Sequence, residues 1–352
     1  MLDTIPVRGY QYSNIISSFM SPKKLQKTMK HAILILAYNE PEHLKRLISY
    51  FKKDCYVFVH LDKKAKFNDE YVNELYSFSQ VTKVYRKYSV HWGGFSILET
   101  EMFLFKEALR LCDASYFHLL SGQDYPTRPL DLFLSFFMNN YGYEFINYVH
   151  LPHHLWQNGT YSRFQYFYPY DFVKDSRNSK IVSVCVKIQH ILGIKRTIPN
   201  HFDHIYGGNQ WISITRNAIK YILIFSRKYP MFYYRMKMTF APEEVYFQTL
   251  LCNVNKRQYI LDNKRYIRWE MENGSNPANL CVKHLHYLLE NDCLIARKFT
   301  QVISNRLCDI VDRYLINNES MFDSISDIFH NDYKRNSFNN HILDNIGDLV
   351  PP

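Results

Sequence analysis

Two seven-residue apolar segments in the first part of the chain constrain its fold more than any other feature. Residues 31–37 read HAILILA and residues 55–61 read CYVFVHL. Neither segment alternates between apolar and polar residues as a half-buried strand does, and continuous apolar runs of this length are typical of strands buried on both faces. Such strands occur in parallel sheets that carry helices on both sides. The sequence therefore predicts an α/β fold.

Helical patterns separate these strands and continue after them. Leu44, Leu47 and Ile48 recur at helical spacing behind the first strand. The elements predicted next are a helix over about 69–78, a strand over 81–84, a helix over about 95–111 and a strand over 115–120. This alternation of strand and helix predicts an open, mostly parallel sheet flanked by helices.

Length and charge set the domain organisation and the kind of partner. The chain has 352 residues, which suffices for one large α/β domain or two smaller ones. We predict an N-terminal extension over 1–29, a main domain over 30–300 with halves at 30–130 and 140–300, and a C-terminal helix with a polar tail over 301–352. The net charge of +10 favours an anionic partner, such as a nucleotide or a membrane surface. No basic run is dense enough for a nucleic-acid tail, so we predict no nucleic-acid binding.

Cysteine usage and hydropathy indicate the compartment. The seven cysteines are scattered and form no C-x-x-C pair, so neither a zinc site nor a disulfide framework is predicted. No apolar run approaches the ~20 residues of a membrane span, and the first 30 residues lack the apolar core of a signal peptide. We expect a cytoplasmic protein, with peripheral contact at the inner face of the membrane as an option.

Polar and aromatic residues follow the predicted strands, at the sheet edge where ligands bind in such folds. Tyr38 follows the first strand, Asp62 the second and Trp92 the third. A carboxylate at Asp62 could accept from a base or a ribose, and an indole at Trp92 could stack on a ring; a turn acid is the equal alternative for Asp62. No Gly-rich dinucleotide or phosphate-binding motif occurs. These residues predict a nucleotide-like ligand held without a Gly-rich loop.

A second candidate site lies in the segment FAPEEVYF, residues 240–247. Pro242 suits the first turn of a helix, and Glu243 and Glu244 follow where the helix dipole stabilises negative charge. A packed helix that presents a carboxylate at its open end can hold a general base. The alternative is an ordinary acidic helix start.

Eight segments in register resemble the Core-2/I-branching glycosyltransferase family. These segments are AILILAYNEPEHLKRL, VFVHLDKKA, VHWGGFSILETE, YFHLLSGQDYPTRP, YGGNQWISITR, FAPEEVYFQTLL, RYIRW and LIARKF, spread over residues 31 to about 300. The resemblance implies a GT-A fold, in which a nucleotide-sugar-binding sheet merges with an acceptor-binding region. It also implies inverting transfer of N-acetylglucosamine or xylose from a UDP-sugar to a hydroxyl of a glycan or protein, forming a β-linkage without a metal or other cofactor.

The resemblance assigns roles to individual residues on the donor side. It places Leu36 and Tyr38 beside the uridine, Asp62 in contact with it and Trp92 facing the nucleotide. It places Lys298 at the diphosphate, where cationic side chains substitute for a metal. The second cation stays open between three arginines: Arg265, Arg268 and Arg297.

The same resemblance assigns roles on the acceptor side. It makes Glu244 the general base and Glu243 the supporting acid. Gly208 and Gln210 are implied neighbours of the donor sugar, and Trp269 is either a wall of the acceptor site or a core residue.

Two alternatives follow from the same residues. Most GT-A enzymes bind a divalent ion at a D-x-D motif, and here the corresponding segment reads SGQD with the single acid Asp124. A metal-dependent transferase that uses Asp124 is one alternative. A non-catalytic glycan-binding protein on a transferase scaffold is the other.

The remaining segments carry weaker patterns. Residues 143–149 predict a strand, and His150, His153 and His154 fit no metal-ligand spacing, which favours a polar acceptor-facing loop. Residues 171–204 show little pattern. The last predicted elements are a strand over 211–214, a helix over 217–226 and a helix over 302–315.

Overall fold

The computed structural model describes residues 29–52, 54–153, 161–173, 179–197, 202, 204–254 and 259–317. The predicted extension upstream of residue 29 and the polar tail beyond residue 317 lie outside these residues. Across the described ranges, no helix is long and apolar enough to cross a membrane. The seven cysteines all fall in described segments and are free thiols.

Strands in the described segments form three sheets. They are β1 (His31–Ala37), β2 (Cys55–Leu61), β3 (Val81–Tyr85), β4 (Tyr116–Ser121), β5 (Asp124–Pro126), β6 (Glu144–Phe145), β7 (Val149–His150), β8 (Tyr206–Gly207), β9 (Ser213–Thr215), β10 (Ile260–Leu261), β11 (Arg265–Ile267) and β12 (Ile295–Arg297). The largest sheet has the order β10-β6-β9-β4-β1-β2-β3. Strands β1 to β4 run parallel to one another, and β9 is antiparallel to both β4 and β6. The predicted mostly parallel sheet is confirmed.

Helices flank this sheet on both faces. They are α1 (Pro41–Tyr50), α2 (Asp69–Tyr76), α3 (Phe95–Leu111), α4 (Leu130–Asn139), α5 (Ser162–Gln165), α6 (Lys180–Ile191), α7 (Arg216–Lys228), α8 (Pro230–Arg235), α9 (Glu243–Asn253), α10 (Leu285–Glu290) and α11 (Gln301–Asn317). Asn68, Ser179 and Thr215 cap the starts of α2, α6 and α7, since each side chain accepts a hydrogen bond from the first-turn backbone.

Strand β1 divides its side chains between two cores. Ile33 and Ile35 pack with residues of α1, α4 and α11, whereas Ala32 and Leu34 pack with residues of α3, α7 and α9. All four side chains are fully buried, and each buried Ile or Leu contributes about 1.5–3 kcal/mol through removal from water. This burial on both faces explains why the segment is apolar throughout.

The structure also corrects the predicted elements. The strand expected over 143–149 is two short strands, β6 and β7, in different sheets. Residues 171–204 contain the twelve-residue helix α6, which the sequence pattern did not reveal. The strand expected at 211–214 is confined to Ser213–Thr215.

A small second sheet brings residues 295–299 to the edge of the main sheet at which β4 ends. It has the order β11-β12-β5, and its antiparallel register places Arg297 opposite Asp124. The backbone amide of Phe299 then donates to the carbonyl of Gln123 at 2.8 Å. Lys298 is therefore held next to the loop that follows β4.

Candidate active site

The segment at residues 240–247 begins helix α9 in the structure. Pro242 is the N-cap and Glu243 the first helical residue, one position later than the sequence suggests. Ala241 has a positive φ of 46°, and its amide donates to the carbonyl of Gly93 at 2.9 Å. Nearly all of α9 is buried, its polar positions included, so the helix start is rigidly placed.

Glu244 forms an ion pair with a buried arginine. Its Oε2 lies 2.7 Å from Nη1 of Arg163, whose side chain is only 2% exposed, while that of Glu244 is 25% exposed. The guanidinium of Arg163 lies 4.7 Å from the centroid of the Phe240 ring. The backbone carbonyl of Glu244 accepts from the amide of Gly208 at 2.8 Å. The pair fixes a carboxylate that still reaches solvent.

Two further carboxyl groups lie beside this pair. Glu243 and Glu101 are buried, and Gln210 Nε2 donates to Glu101 Oε1 at 2.7 Å. Burial raises the pKa of Glu101 to about 8, a net value that also includes a lowering by the Gln210 hydrogen bond and a smaller increase from the charge of Glu244. Burial, followed by the charges of Glu244 and Glu101, raises the pKa of Glu243 well above its usual range. Both shifts favour the protonated, neutral form of the acid.

Sequence reasoning missed Arg163 and Glu101. Each is a charge in an apolar setting: Arg163 opens an aromatic-rich stretch, and Glu101 lies on α3 between buried Leu98 and Phe105. A charged residue at an apolar helix position is the signal that could have identified Glu101, because such burial is rare unless the group is paired or neutral.

The loop that carries Trp92 packs against the start of α9. The Trp92 ring centroid lies 5.5 Å from that of Phe240 and 5.8 Å from that of Tyr170, and its side chain remains 42% exposed. A Cβ on Gly93 would lie 2.7 Å from the Phe240 ring, so the close approach requires glycine. These contacts join the strand edge to the helix of Glu244.

Asp171 connects the second half of the main domain, residues 140–300, to the end of the loop that carries Trp92. Its carboxylate accepts from the amides of Phe95 and Ser96 at 2.7 and 3.1 Å, which caps the N-terminus of α3 from a distant part of the chain. A Cβ on Gly94 would lie 2.4 Å from this carboxylate. No local sequence pattern indicates this contact, because it joins residues more than 70 positions apart.

The predicted nucleotide residues meet at the ends of β1 and β2. The backbone amide of Asp62 donates to the carbonyl of Ala37 at 2.8 Å, and Asp62 Oδ1 accepts from the amides of Lys64 and Val90 at 2.9 and 3.3 Å. Tyr38 is exposed and adjoins an open cleft of about 740 Å³ that Lys64 also lines. Asp62 is therefore a turn acid through Oδ1, and a ligand contact would use Oδ2.

Leu36 and Tyr38 connect this edge to the loop after β4. The carbonyl of Leu36, which lies within β1, accepts from the amide of Gly122 at 2.8 Å. The Tyr38 hydroxyl donates to Gln123 Oε1 at 3.0 Å. The ends of β1 and β4 thus form one continuous edge.

Asp124 and Arg297 bind each other rather than facing a ligand. Arg297 Nη1 lies 2.8 Å from Asp124 Oδ1, and the amide of Ser121 donates to Asp124 Oδ2 at 2.8 Å. Asp124 is 1% exposed, and the guanidinium of Arg297 lies 4.4 Å from the Trp211 ring centroid. Both carboxylate oxygens are engaged within the protein. This pairing argues against the predicted contacts of Asp124 and Arg297 with the diphosphate or a metal.

The other candidate cations are also engaged. Arg268 pairs with Glu270 and Glu272 at 2.6 and 3.0 Å. Arg265 is half-buried at the start of β11, where its Nη2 donates to Ser213 Oγ at 3.0 Å, and desolvation of the guanidinium lowers its pKa to about 10.

Lys298 occupies a different setting at the same edge. Its ammonium donates to Ser275 Oγ at 2.9 Å, and its side chain is buried beside the loop that follows β4.

The residues predicted to contact the donor sugar and the acceptor, Gly208, Gln210 and Trp269, lie in three different surroundings. A Cβ on Gly208 would lie 1.9 Å from the carbonyl of Asn147, so only glycine fits there. Gln210 binds Glu101 as described above, and Trp269 is 56% exposed just after β11. His150 Nε2 lies 2.9 Å from His204 Nδ1, and no group of three metal-ligating side chains forms across the described ranges.

Comparison with known proteins gives one match that covers most of the chain. The sequence profile of the Core-2/I-branching enzyme family matches residues 32–292. Comparison with curated protein sequences gives no match.

Solved structures show weaker similarity. TarS 1-349 from S. aureus in complex with UDP-GlcNAc has 16% identity over 34% of this chain and 34% of that chain, with a TM-score of 0.26. S. aureus TarS has 14% identity over 34% of this chain and 21% of that chain, with a TM-score of 0.26. A putative glucose-1-phosphate thymidylyltransferase from Bacillus anthracis in complex with a sucrose has 12% identity over 67% of this chain and 86% of that chain, with a TM-score of 0.29. The chain spans about a fifth to a third of the TarS chains, and these scores are too low to indicate a shared function.

The family match, the order of the eight segments and the helix-flanked, mostly parallel sheet agree with a GT-A type fold. They lead to one conclusion: the chain belongs to the Core-2/I-branching enzyme family of glycosyltransferases.

Proposed function

We propose that this protein transfers N-acetylglucosamine or xylose from a UDP-sugar to a hydroxyl of a glycan or protein, with inversion and without a metal. The observation that carries the proposal is the setting of Glu244. Its carboxylate is partly exposed and paired with Arg163. Its helix start is joined to the nucleotide edge by the Ala241–Gly93 hydrogen bond and the Phe240–Trp92 contact.

Glu244 acts as the general base in this proposal. It removes the proton of the acceptor hydroxyl while the oxygen attacks the anomeric carbon from the face opposite the UDP. The new C–O bond forms as the bond to the diphosphate oxygen breaks, the proton stays on Glu244, and UDP leaves. A positioned base of this kind accelerates such a step by about 10²–10⁴-fold.

The neighbouring acids support this role through their protonation. Burial raises the pKa values of Glu101 and Glu243 and so favours their neutral forms, whereas the carboxylate of Glu244 is paired with Arg163. Glu243 is thus a supporting residue that adds no second negative charge at the reacting centre.

Lys298 supplies positive charge to the leaving diphosphate in the proposed reaction. A cation held at this edge stabilises the charge that develops on UDP. Ser275, its hydrogen-bond partner, positions the ammonium. Arg297 is neutralised by Asp124, and we propose that it stabilises the loop after β4 instead of contacting the donor.

The nucleotide occupies the edge formed by the ends of β1 and β2 and by the Trp92 loop. Tyr38 and Trp92 provide exposed aromatic rings for the base and ribose, the half-buried Leu36 at the end of β1 borders the uridine, and Asp62 contacts the uridine through Oδ2. Gly208 lies toward the donor sugar and Trp269 toward the acceptor in this proposal, with Gln210 acting through Glu101. The free thiols further support a reducing, cytoplasmic location.

The test is a UDP-release screen over a panel of UDP-sugars, with and without EDTA, on wild type and Glu244→Gln. We expect turnover that persists in EDTA and falls at least about 100-fold in the variant, while UDP binding by calorimetry is unchanged. Glu107→Gln is the matched control, because Glu107 forms an ion pair at the same distance of 2.7 Å, but with the exposed Arg110.

Each alternative has its own outcome in this screen. Activity that survives Glu244→Gln would refute the assignment of the base. Activity lost in EDTA and restored by Mn²⁺ would select a metal-dependent transferase. Glycan binding without turnover of any UDP-sugar would select a non-catalytic protein.

A further inference from the structure

Helix α6 presents an apolar stripe to solvent. Ile181, Val184, Ile188 and Ile191 recur at positions i, i+3, i+7 and i+10 and are 62%, 51%, 48% and 82% exposed. Leu192 extends the stripe by one residue and is 64% exposed. Single exposed apolar residues are ordinary, whereas a continuous stripe of this kind marks an interaction surface.

The opposite face of α6 attaches the helix to the protein. Val182 is buried, and Gln189, one heptad further, exchanges two hydrogen bonds with the backbone of Phe167 at 2.7 and 2.9 Å. The rings of Tyr166 and His190 lie with centroids 4.0 Å apart. The outward direction of the stripe is therefore fixed by packing on the other side.

Positive charge accompanies the stripe. Lys180 and Lys187, seven residues apart, lie along one edge of it, and Lys195 follows the helix; all three are exposed. The segment 179–197 contains no Asp or Glu. An apolar face with lysines on its border is the pattern of helices that lie in a membrane interface.

We propose that α6 is an in-plane anchor that places its apolar stripe on an anionic lipid bilayer. A second copy of the chain fits this surface poorly, because a twofold contact would bring the lysines of both copies together with no acidic side chain from the segment to pair with them. Anionic headgroups satisfy those lysines while the acyl region takes up the isoleucines. The proposal does not depend on the reaction catalysed.

The experiment is flotation of the full chain with vesicles of phosphatidylcholine and phosphatidylglycerol at about 2:1, compared with phosphatidylcholine alone. We expect binding to the anionic vesicles that weakens with salt. The combined variant Ile181→Gln, Ile188→Gln, Ile191→Gln should bind at least about tenfold more weakly. The control is Val302→Gln, since Val302 on α11 is 93% exposed and should leave binding unchanged.

A second variant tests the charges without touching the stripe. Lys180→Gln with Lys187→Gln should lower binding to anionic vesicles by about fivefold per lysine and flatten its salt dependence. Circular dichroism and unfolding midpoints establish that both variants fold as the wild type does.

Three outcomes overturn the proposal. The first is no flotation of the wild type with anionic vesicles. The second is equal flotation of the wild type and the stripe variant, or equal loss in Val302→Gln. The third is a wild-type dimer that the stripe variant converts to a monomer in light scattering, which would make the stripe an interface between two copies.

Discussion

Replacing Arg163 by methionine tests whether the cluster at the start of α9 is organised around one ion pair. The side chain of Arg163 is buried, and its Nη1 lies 2.7 Å from Glu244 Oε2. Methionine keeps much of the volume and removes the charge. The variant would leave Glu244 beside two other carboxyl groups without this cation, and Glu244→Gln would remove the carboxylate of the ion pair from the buried guanidinium.

The burial of the two partners sets the expected magnitude. Removing one partner of a buried ion pair costs about 3–5 kcal/mol. Since a quarter of the Glu244 side chain stays exposed, we expect the lower end, about 3 kcal/mol for each single variant. The double variant leaves no uncompensated charge and should lose only about 4 kcal/mol, so the coupling free energy should be about 2 kcal/mol. The cycle cancels the separate contact of Arg163 with the Phe240 ring.

Urea unfolding of the wild type, both single variants and the double variant measures this coupling, with equal m-values as the condition for comparison. A second cycle on Glu107 and Arg110 provides the control, since Arg110 is exposed and surface pairs couple weakly. If the two cycles gave the same small coupling, the ion pair would not organise the cluster. The role proposed for Arg163 would then be wrong.

Three further predictions concern charges at and around the site. Glu101→Gln should flatten the pH dependence of stability. Between about pH 4.5 and 8, Glu101 keeps its proton in the folded state and releases it in the unfolded chain. The free energy of unfolding of the wild type, measured by urea titration, should therefore fall across that window by about 1.4 kcal/mol per pH unit. Asp124→Asn should lower the free energy of unfolding by about 3 kcal/mol, because it leaves Arg297 without its partner; an unchanged urea midpoint would contradict this. Lys298→Met should weaken the binding of UDP at least about tenfold in calorimetry and leave the binding of uridine unchanged, because uridine lacks the diphosphate. Equal losses of affinity for both ligands would show that Lys298 does not contact the diphosphate.

The central sheet was largely predictable from the sequence, and the smaller strands were not. Strands β1 and β2 match their predicted limits because seven consecutive apolar residues can be buried on both faces of a sheet. Strands β6, β7 and β10 contain two residues each, which is too short for any periodicity. Their pairing depends on segments brought together by the fold.

Helix α6 escaped prediction for a related physical reason. Sequence reasoning assigns apolar helix positions to the core, and those of α6 point mainly into solvent. Its sequence, KIVSVCVKIQHI, is also rich in β-branched residues, which lowers helix propensity. A helix that uses its apolar face for a partner outside the chain does not show the polar outer face of an ordinary surface helix.

The sequence predicts those parts of the candidate site that adjacent residues form. It does not predict the contacts between residues that lie far apart in the chain. Glu243 and Glu244 are adjacent, so the helix start was identifiable from a few residues. Their separation into a buried acid and an exposed, paired one depends on Arg163, about 80 positions earlier, and on Glu101, still further upstream. Similarly, the lone acid Asp124 after β4 suggests a metal ligand in the sequence, and its ion pair with Arg297, more than 170 positions later, becomes visible only in the fold.

The charge balance at the start of α9 explains why this arrangement suits a base. Three ionised carboxylates around one buried guanidinium would repel one another strongly, because water is excluded from two of them. Burial resolves this by raising the pKa of Glu101 to about 8 and that of Glu243 well above its usual range. One negative charge then faces one positive charge, and it lies on the carboxyl group that reaches solvent. In the proposed reaction, an acceptor hydroxyl would meet the carboxylate of Glu244, which Arg163 holds in place beside two acids whose raised pKa values favour the neutral form.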